Sequence, residues 1–241
     1  MAVRPLLAIT FAVALAASTA AFAGDSADFE LIGFSQDGRY FAFEEYGIQD
    51  GSGFAYSSIY VIDLATDSWV DGTPIRRQSA LEDDLSATRG KALDAAIDAL
   101  ESVNLEVPAK VLSLNGDGDP RSDGLTLDYG VPDFADPAGT QQEATLSLEI
   151  FKAPTYEACS DYMGEDAVGF ALIHTRNGAS TELFRDDSIP RSRGCPLTYK
   201  LFAVVVPFPG YGLSNSVALI SVYRFGFEGP DRRFIAVPVS R

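Results

Sequence analysis

The stretch Gly33-Phe34-Ser35-Gln36-Asp37-Gly38-Arg39-Tyr40-Phe41-Ala42-Phe43 reads as strand, turn, strand. Ser35 to Gly38 has the composition of a tight turn, and Gly38 is free to take positive φ. Phe29 to Phe34 before it is apolar, and Arg39 to Tyr46 after it alternates well enough for a half-buried strand. Gly47 to Ser57 is then a Gly-rich loop, and Ser58 to Asp63 a further strand. The turn at Ala65-Thr66-Asp67 precedes Trp69. The sequence here predicts a meander of three or four antiparallel strands.

The β pattern returns in the second half. Thr145–Lys152, Ala167–Thr175, Ser180–Phe184, Tyr199–Phe208, Val217–Arg224 and Arg233–Val239 all carry strand signals, and Asn177-Gly178 marks a hairpin. Between the halves lies one helical pattern, 79–103, with Leu81, Leu85, Ala92, Ala96, Ile97, Leu100 and Val103 on one face. Glu82, Asp83 and Asp84 crowd its N-terminal end, where the helix dipole favours negative charge, and Pro108 bars its extension. The segment 115–139 is rich in turn residues. The expected fold is mainly β: antiparallel sheets, as a sandwich or two propeller-blade-like meanders, with one connecting helix near 79–103. The expected division is 1–23 leader, 24–73 β meander, 74–110 helical connector and 111–241 C-terminal β unit.

The first 23 residues have the three parts of a secretory signal. Arg4 supplies a positive charge, Leu6 to Ala17 is an uncharged apolar run, and Ala21-Phe22-Ala23 is a small-x-small cleavage pattern. The run of 12 residues is short of the roughly 20 needed to span a bilayer. Cleavage is expected after Ala23, giving a periplasmic or secreted chain that starts at Gly24, with no stable membrane insertion afterwards. Cys159 and Cys195, an even pair in an exported chain, are expected to form a disulfide. Such a bridge closes a loop of about 37 residues and contributes roughly 3–4 kcal/mol on the chain-entropy estimate.

The formal charge is −16, and removal of Arg4 makes it −17. A chain this acidic repels phosphate backbones, which argues against nucleic acid as a partner. An envelope protein or a small ligand is the expected partner class, and no cofactor is expected.

Candidate sites are few. His174 is the single histidine, so a Ser–His–Asp hydrolase would have to use it, with Ser180 or Ser192 as nucleophile. No G-x-S-x-G elbow is present. His174 shares strand parity with Val168, Phe170 and Leu172 and fits a half-buried face equally well. Asp117, Asp119 and Asp123 are calcium candidates whose spacing departs from the EF-hand pattern, and a solvated acidic turn is the plainer reading. Glu44 and Glu45 interrupt an apolar strand; one of them should face inward or sit on the sheet's solvent face, and the solvent face is the expectation. The loop around Glu228, Asp231, Arg232 and Arg233 mixes acid and paired arginine and is a possible binding loop. The arginines can grip a carboxylate or phosphate in bidentate fashion. In so acidic a chain, internal pairing with Glu228, Glu44, Glu45 or Asp50 is the expectation.

Segments 41–62 and 217–237 echo each other, each pairing two strands across a Gly- and acid-rich loop. The segment 33–43, with IYVIDLATDSW after it, resembles one blade of a TolB-type β-propeller. It occurs once, against the four or more blades a propeller needs. The blocks GFSQDGRYFAFEEYGIQDGSGFAYSSIYVIDL (33–64), SRGCPLTY (192–199) and SVYRFGFEGPDRRFIAV (221–237) resemble a family of predicted secreted proteins, a domain of unknown function found mainly in alphaproteobacteria. That resemblance implies export and carries no catalytic residues with it. The leading expectation is a non-enzymatic binding or accessory protein. The competing one is an envelope hydrolase using acidic residues, with or without calcium.

Overall fold

The computed structural model describes residues 24–79, 84–136, 138–156 and 158–239. The leader expected at 1–23, and Leu81, Glu82 and Asp83 at the expected helix start, lie outside the described residues. In chain order the elements are β1 (Asp28–Ser35), β2 (Tyr40–Ile48), β3 (Ala55–Asp63), β4 (Ser68–Trp69), β5 (Ile75–Gln78), α1 (Leu85–Ser102), β6 (Leu105–Val107) and β7 (Ala109–Leu114). There follow β8 (Thr126–Pro132), β9 (Thr140–Lys152), the short α2 (Ser160–Met163), β10 (Val168–Arg176), β11 (Ala179–Arg185), β12 (Pro196–Pro207), β13 (Val217–Arg224) and β14 (Asp231–Pro238).

The strands form three antiparallel sheets. The first has the order β4-β3-β2-β1-β6, with β5 also on β3; the second is β14-β13-β12-β7; the third is β11-β10-β9-β8. They stack as layers, with the second sheet in the middle and α1 on the outer face of the first. One core, including Leu146, Phe170, Leu172, Leu201 and Ile220, fills the space between the middle and third sheets. Another, including Phe34, Phe41, Phe43, Val205 and Leu219, joins the first sheet to the other face of the middle one. The middle sheet is therefore buried on both faces, which is why β12 and β13 read as nearly continuous apolar runs. β12 serves both cores through a bulge between Leu201 and Ala203. Tyr199 and Leu201 face the third sheet, Phe202 and Ala203 both face the first, and alternation then resumes with Val204.

The 33–43 turn is held as its residue types demand. The Ser35 hydroxyl donates to Asp37 Oδ1 at 2.6 Å, the Arg39 amide donates to the same oxygen at 3.0 Å, and the Tyr40 amide donates to Ser35 Oγ at 2.8 Å. Gly38 has φ +70°.

The helix is capped by Asp84, whose side chain accepts the Ser86 amide at 2.9 Å. Its buried face is Thr88, Ala92 and Ala96, and the expected core position Ile97 is 45% exposed. The small side chains let α1 lie close on Ile59. The strands flanking it, β5 and β6, pair with β3 and β1, so the 74–110 segment is built into the first sheet, and β7 at its end belongs to the middle sheet. No helix among the described residues is long and apolar enough to cross a membrane.

The placement of α1 corrects the expectation of a glutamate on a solvent face. Glu44 and Glu45 are both buried, on opposite faces of β2. A sheet covered on both sides has no solvent face to offer them. On the helix side, Arg89 Nε and Nη2 donate to the Glu44 carboxylate at 2.8–3.1 Å, and the Ser57 hydroxyl donates to it at 2.8 Å. Glu45 points the other way, toward the middle sheet.

Candidate functional site

The paired arginines of β14 tie the chain's two β halves together. Arg233 Nη2 donates to Asp25 Oδ2, and its Nε lies 3.6 Å from Glu45 Oε1. The Tyr56 hydroxyl donates to the other Asp25 oxygen at 2.8 Å, and the Asp25 amide donates to Asp231 Oδ1 at 3.0 Å. Arg232 donates twice to the Ala27 carbonyl, at 3.0 and 2.8 Å, and its Nη1 donates to Asp117. Glu45 Oε2 accepts the amide of Phe234, on the edge strand β14, at 2.7 Å. Burial pushes the Glu45 carboxyl up, against the pull of that amide, Arg233 and Arg224. Glu228 is exposed.

Asp117, Asp119 and Asp123 do not converge. Asp117 meets Arg232, Asp119 holds Arg121 at 3.1 Å, and Asp123 accepts the amides of Leu125 and Thr126 at 2.7 and 2.9 Å. Among the described residues no group of three or more His, Cys, Asp and Glu side chains is placed to hold a metal.

His174 continues the inner face of β10. Its ring lies 6.2 Å from Tyr129, and burial lowers its pKa. Its Nε2 and the Tyr129 hydroxyl are buried without a protein partner. Ser180 Oγ is 2.9 Å from Thr175 Oγ1, and Ser192 lies at the cavity described next, which His174 does not line. Among the described residues, neither Ser180 nor Ser192 is brought to His174.

That cavity, of about 630 Å³, lies between the first sheet, the β14 edge and the 190–193 loop. Its size suits a small organic molecule. One wall is aromatic: Phe43 and Tyr60 stack at 4.9 Å with an interplanar angle of 8°, and Trp69 lies 5.8 Å beyond Tyr60. Burial, with Glu45 nearby, pushes the Tyr60 hydroxyl up to about 12. Glu45 and Asp67 are the lining carboxylates, and Arg76, Arg77, Arg193, Arg224 and Arg233 also line the space.

The opposite wall is fixed by the disulfide. Cys159 and Cys195 are joined, with Cα atoms 5.7 Å apart, and are buried with Ala167 and Ile189. Between Ile189 and Cys195 the chain turns through Ser192 and Arg193. Arg193 Nη1 donates to both oxygens of buried Asp186, at 2.8 and 2.7 Å, and its guanidinium lies 5.6 Å from the Phe184 ring.

Sequence reasoning found Glu45, Arg233 and the cysteines but missed the cavity, Asp25 and the Arg76–Arg77 pair. The available signal was two consecutive glutamates in an apolar strand, which announced a polar partner on each face.

No curated protein and no solved structure matches this chain. One family model does, over residues 42–240, which takes in all of the cavity-lining segments. The chain belongs to the family described as "Predicted secreted protein (DUF2259)".

Proposed function

We propose that this secreted protein is a non-enzymatic binding protein that takes a small organic ligand in the cavity between its first sheet and the β14 edge. The observation that carries the reading is the Phe43–Tyr60–Trp69 wall facing a space of about 630 Å³. Stacked rings supply apolar contact area with little side-chain ordering. Glu45, the buried carboxylate there, is already bonded to the Phe234 amide, which favours a structural role over that of a free acid or base.

Trp69 is the chain's one tryptophan, so its fluorescence reports this cavity alone. Titration with the neutral probe N-phenyl-1-naphthylamine is expected to show saturable energy transfer from Trp69 at one probe per chain. Absence of saturable transfer would overturn the reading.

The compartment is periplasmic or extracellular, with cleavage after Ala23. In support, Gly24 packs so closely that a Cβ there would lie 2.3 Å from the Pro230 carbonyl oxygen, and Asp25 is buried. N-terminal sequencing of the protein from its native host should begin at Gly24; an intact Met1 would refute this.

A further inference from the structure

We infer that the ligand of this cavity is a ring-bearing organic anion, whose carboxylate or equivalent acid group is taken by Arg76 and Arg77 of β5. The inference rests on the binding reading above and adds the chemical class.

The chain carries 34 acidic against 18 basic side chains, yet five arginines and two carboxylates line this one space. Arginine outnumbers acid among the described residues of this lining, the reverse of the chain as a whole. Three of the five arginines face acids of the fold: Arg193 bonds Asp186, Arg233 bonds Asp25, and Arg224 Nε lies 3.6 Å from Asp231. Arg76 and Arg77 differ. Both are exposed on the short strand β5, and among the described residues neither forms an ion pair. The Arg76 guanidinium carbon lies 5.9 Å from the Trp69 ring centre, and Arg77 Nη1 donates to the Arg76 carbonyl at 2.8 Å. Arg76 thus stands at the end of the aromatic wall with no acid partner among the described residues, and Arg77 lies beside it on the edge strand β5. A ring laid on Tyr60 and Trp69 brings an attached acid group within reach of Arg76. Guanidinium groups bind such oxygens in bidentate, charge-assisted fashion. The cavity is far too small for a nucleic acid duplex, and the acidic surface around it repels polyanions.

The test compares 1-anilinonaphthalene-8-sulfonate with N-phenyl-1-naphthylamine, which has the same aromatic skeleton without the charge. Energy transfer from Trp69 reports both. The sulfonate is expected to bind about tenfold tighter or better, the gain of one charged hydrogen-bonding pair, and to weaken with added salt. The double substitution Arg76→Gln/Arg77→Gln should bring the sulfonate to the affinity of the neutral probe and leave the neutral probe unchanged. Equal affinities in the wild-type protein, or a double variant that still prefers the sulfonate, would overturn the anion assignment while the cavity remained a binding site. Loss of both probes in the double variant transfers the decision to Arg76→Gln alone, which must weaken the sulfonate selectively. Failure of both probes to bind the wild-type protein would instead refute the binding reading itself.

Discussion

Asp25, buried, and Arg233, half-buried and 208 positions away, form an ion pair that joins the first described residues to the last strand. Both ends of the pair have further partners: Tyr56 and the Asp231 carboxylate on one side, Glu45 on the other. Reversal of the charge by Arg233→Glu places a third carboxylate beside Asp25 and Glu45. Breaking a fully buried pair in this way costs about 3–5 kcal/mol, which is an upper bound for this half-buried one. Calorimetry should show a clearly lowered melting temperature; an unchanged one would mean that the pair contributes nothing to the fold.

Glu45→Gln should act in the opposite direction at neutral pH. Burial raises the Glu45 carboxyl above its ordinary value of 4.5, opposed by the Phe234 amide, Arg233 and Arg224 and assisted by Asp25, with Tyr56 and Tyr60 also facing it. A carboxyl raised in the folded state is protonated more readily there than in the unfolded chain. Stability from this group is therefore lost as pH rises through the folded value and is regained fully below 4.5. Glutamine keeps an acceptor for the Phe234 amide without the charge. The melting temperature at pH 7.5 should rise by roughly 2–4 °C, as about 1 kcal/mol gives in a chain of this size. The difference from wild type should vanish near pH 4.5. A variant less stable at every pH would show that the ionised carboxylate is needed.

Removal of the disulfide should affect the cavity as well as the fold. Cys159→Ser/Cys195→Ser frees the loop that carries Ser192 and Arg193. The loss of stability should be roughly 3–4 kcal/mol. Probe binding followed through Trp69 should weaken at temperatures where circular dichroism still shows the folded β spectrum. Full retention of probe affinity would show that the 190–193 wall is held without the bridge.

His174, as the only histidine, gives one imidazole C2–H signal in proton NMR. Its midpoint should lie below the ordinary value of 6.5, because burial, aided by Arg176, disfavours the charged ring. The sign follows: stability from the neutral ring is present above pH 6.5 and is lost as pH falls through the lowered folded value. A midpoint at or above 6.5 would point to a solvated ring.

Local pattern carried most of the strands. Val217–Arg224 was legible to the residue, because β13 is an apolar run broken only by Ser221 and ended by arginine. β8 was hidden. Thr126–Pro132 contains Asp128, Gly130 and Pro132, all poor strand formers, and it is held in place by pairing with β9 rather than by its own propensity. The helix was legible but its role was not: Thr88, Ala92 and Ala96 make a weak apolar stripe, and nothing in their sequence says that they cover the outer face of β2 and β3. The same omission misplaced Glu44 and Glu45. The cavity was illegible for a simpler reason. Its walls come from β2, β3, β4, β5, β11, β13, β14 and the 190–193 loop, segments that meet only once three sheets are stacked.

The clasp at the chain's two ends sets an order of events. Ser26 bridges to Arg232 in parallel, the Ala27 amide donates to the Arg232 carbonyl at 3.2 Å, and the Arg232 amide donates to the Asp25 carbonyl at 2.8 Å. A chain that crosses a membrane amino-terminus first delivers Asp25 to Ala27 long before β14. Until that strand emerges, Asp25 lacks Arg233, Glu45 lacks the Phe234 amide, and one side of the cavity does not exist. A chain released amino-terminus first therefore keeps its native topology open until the β13–β14 hairpin follows.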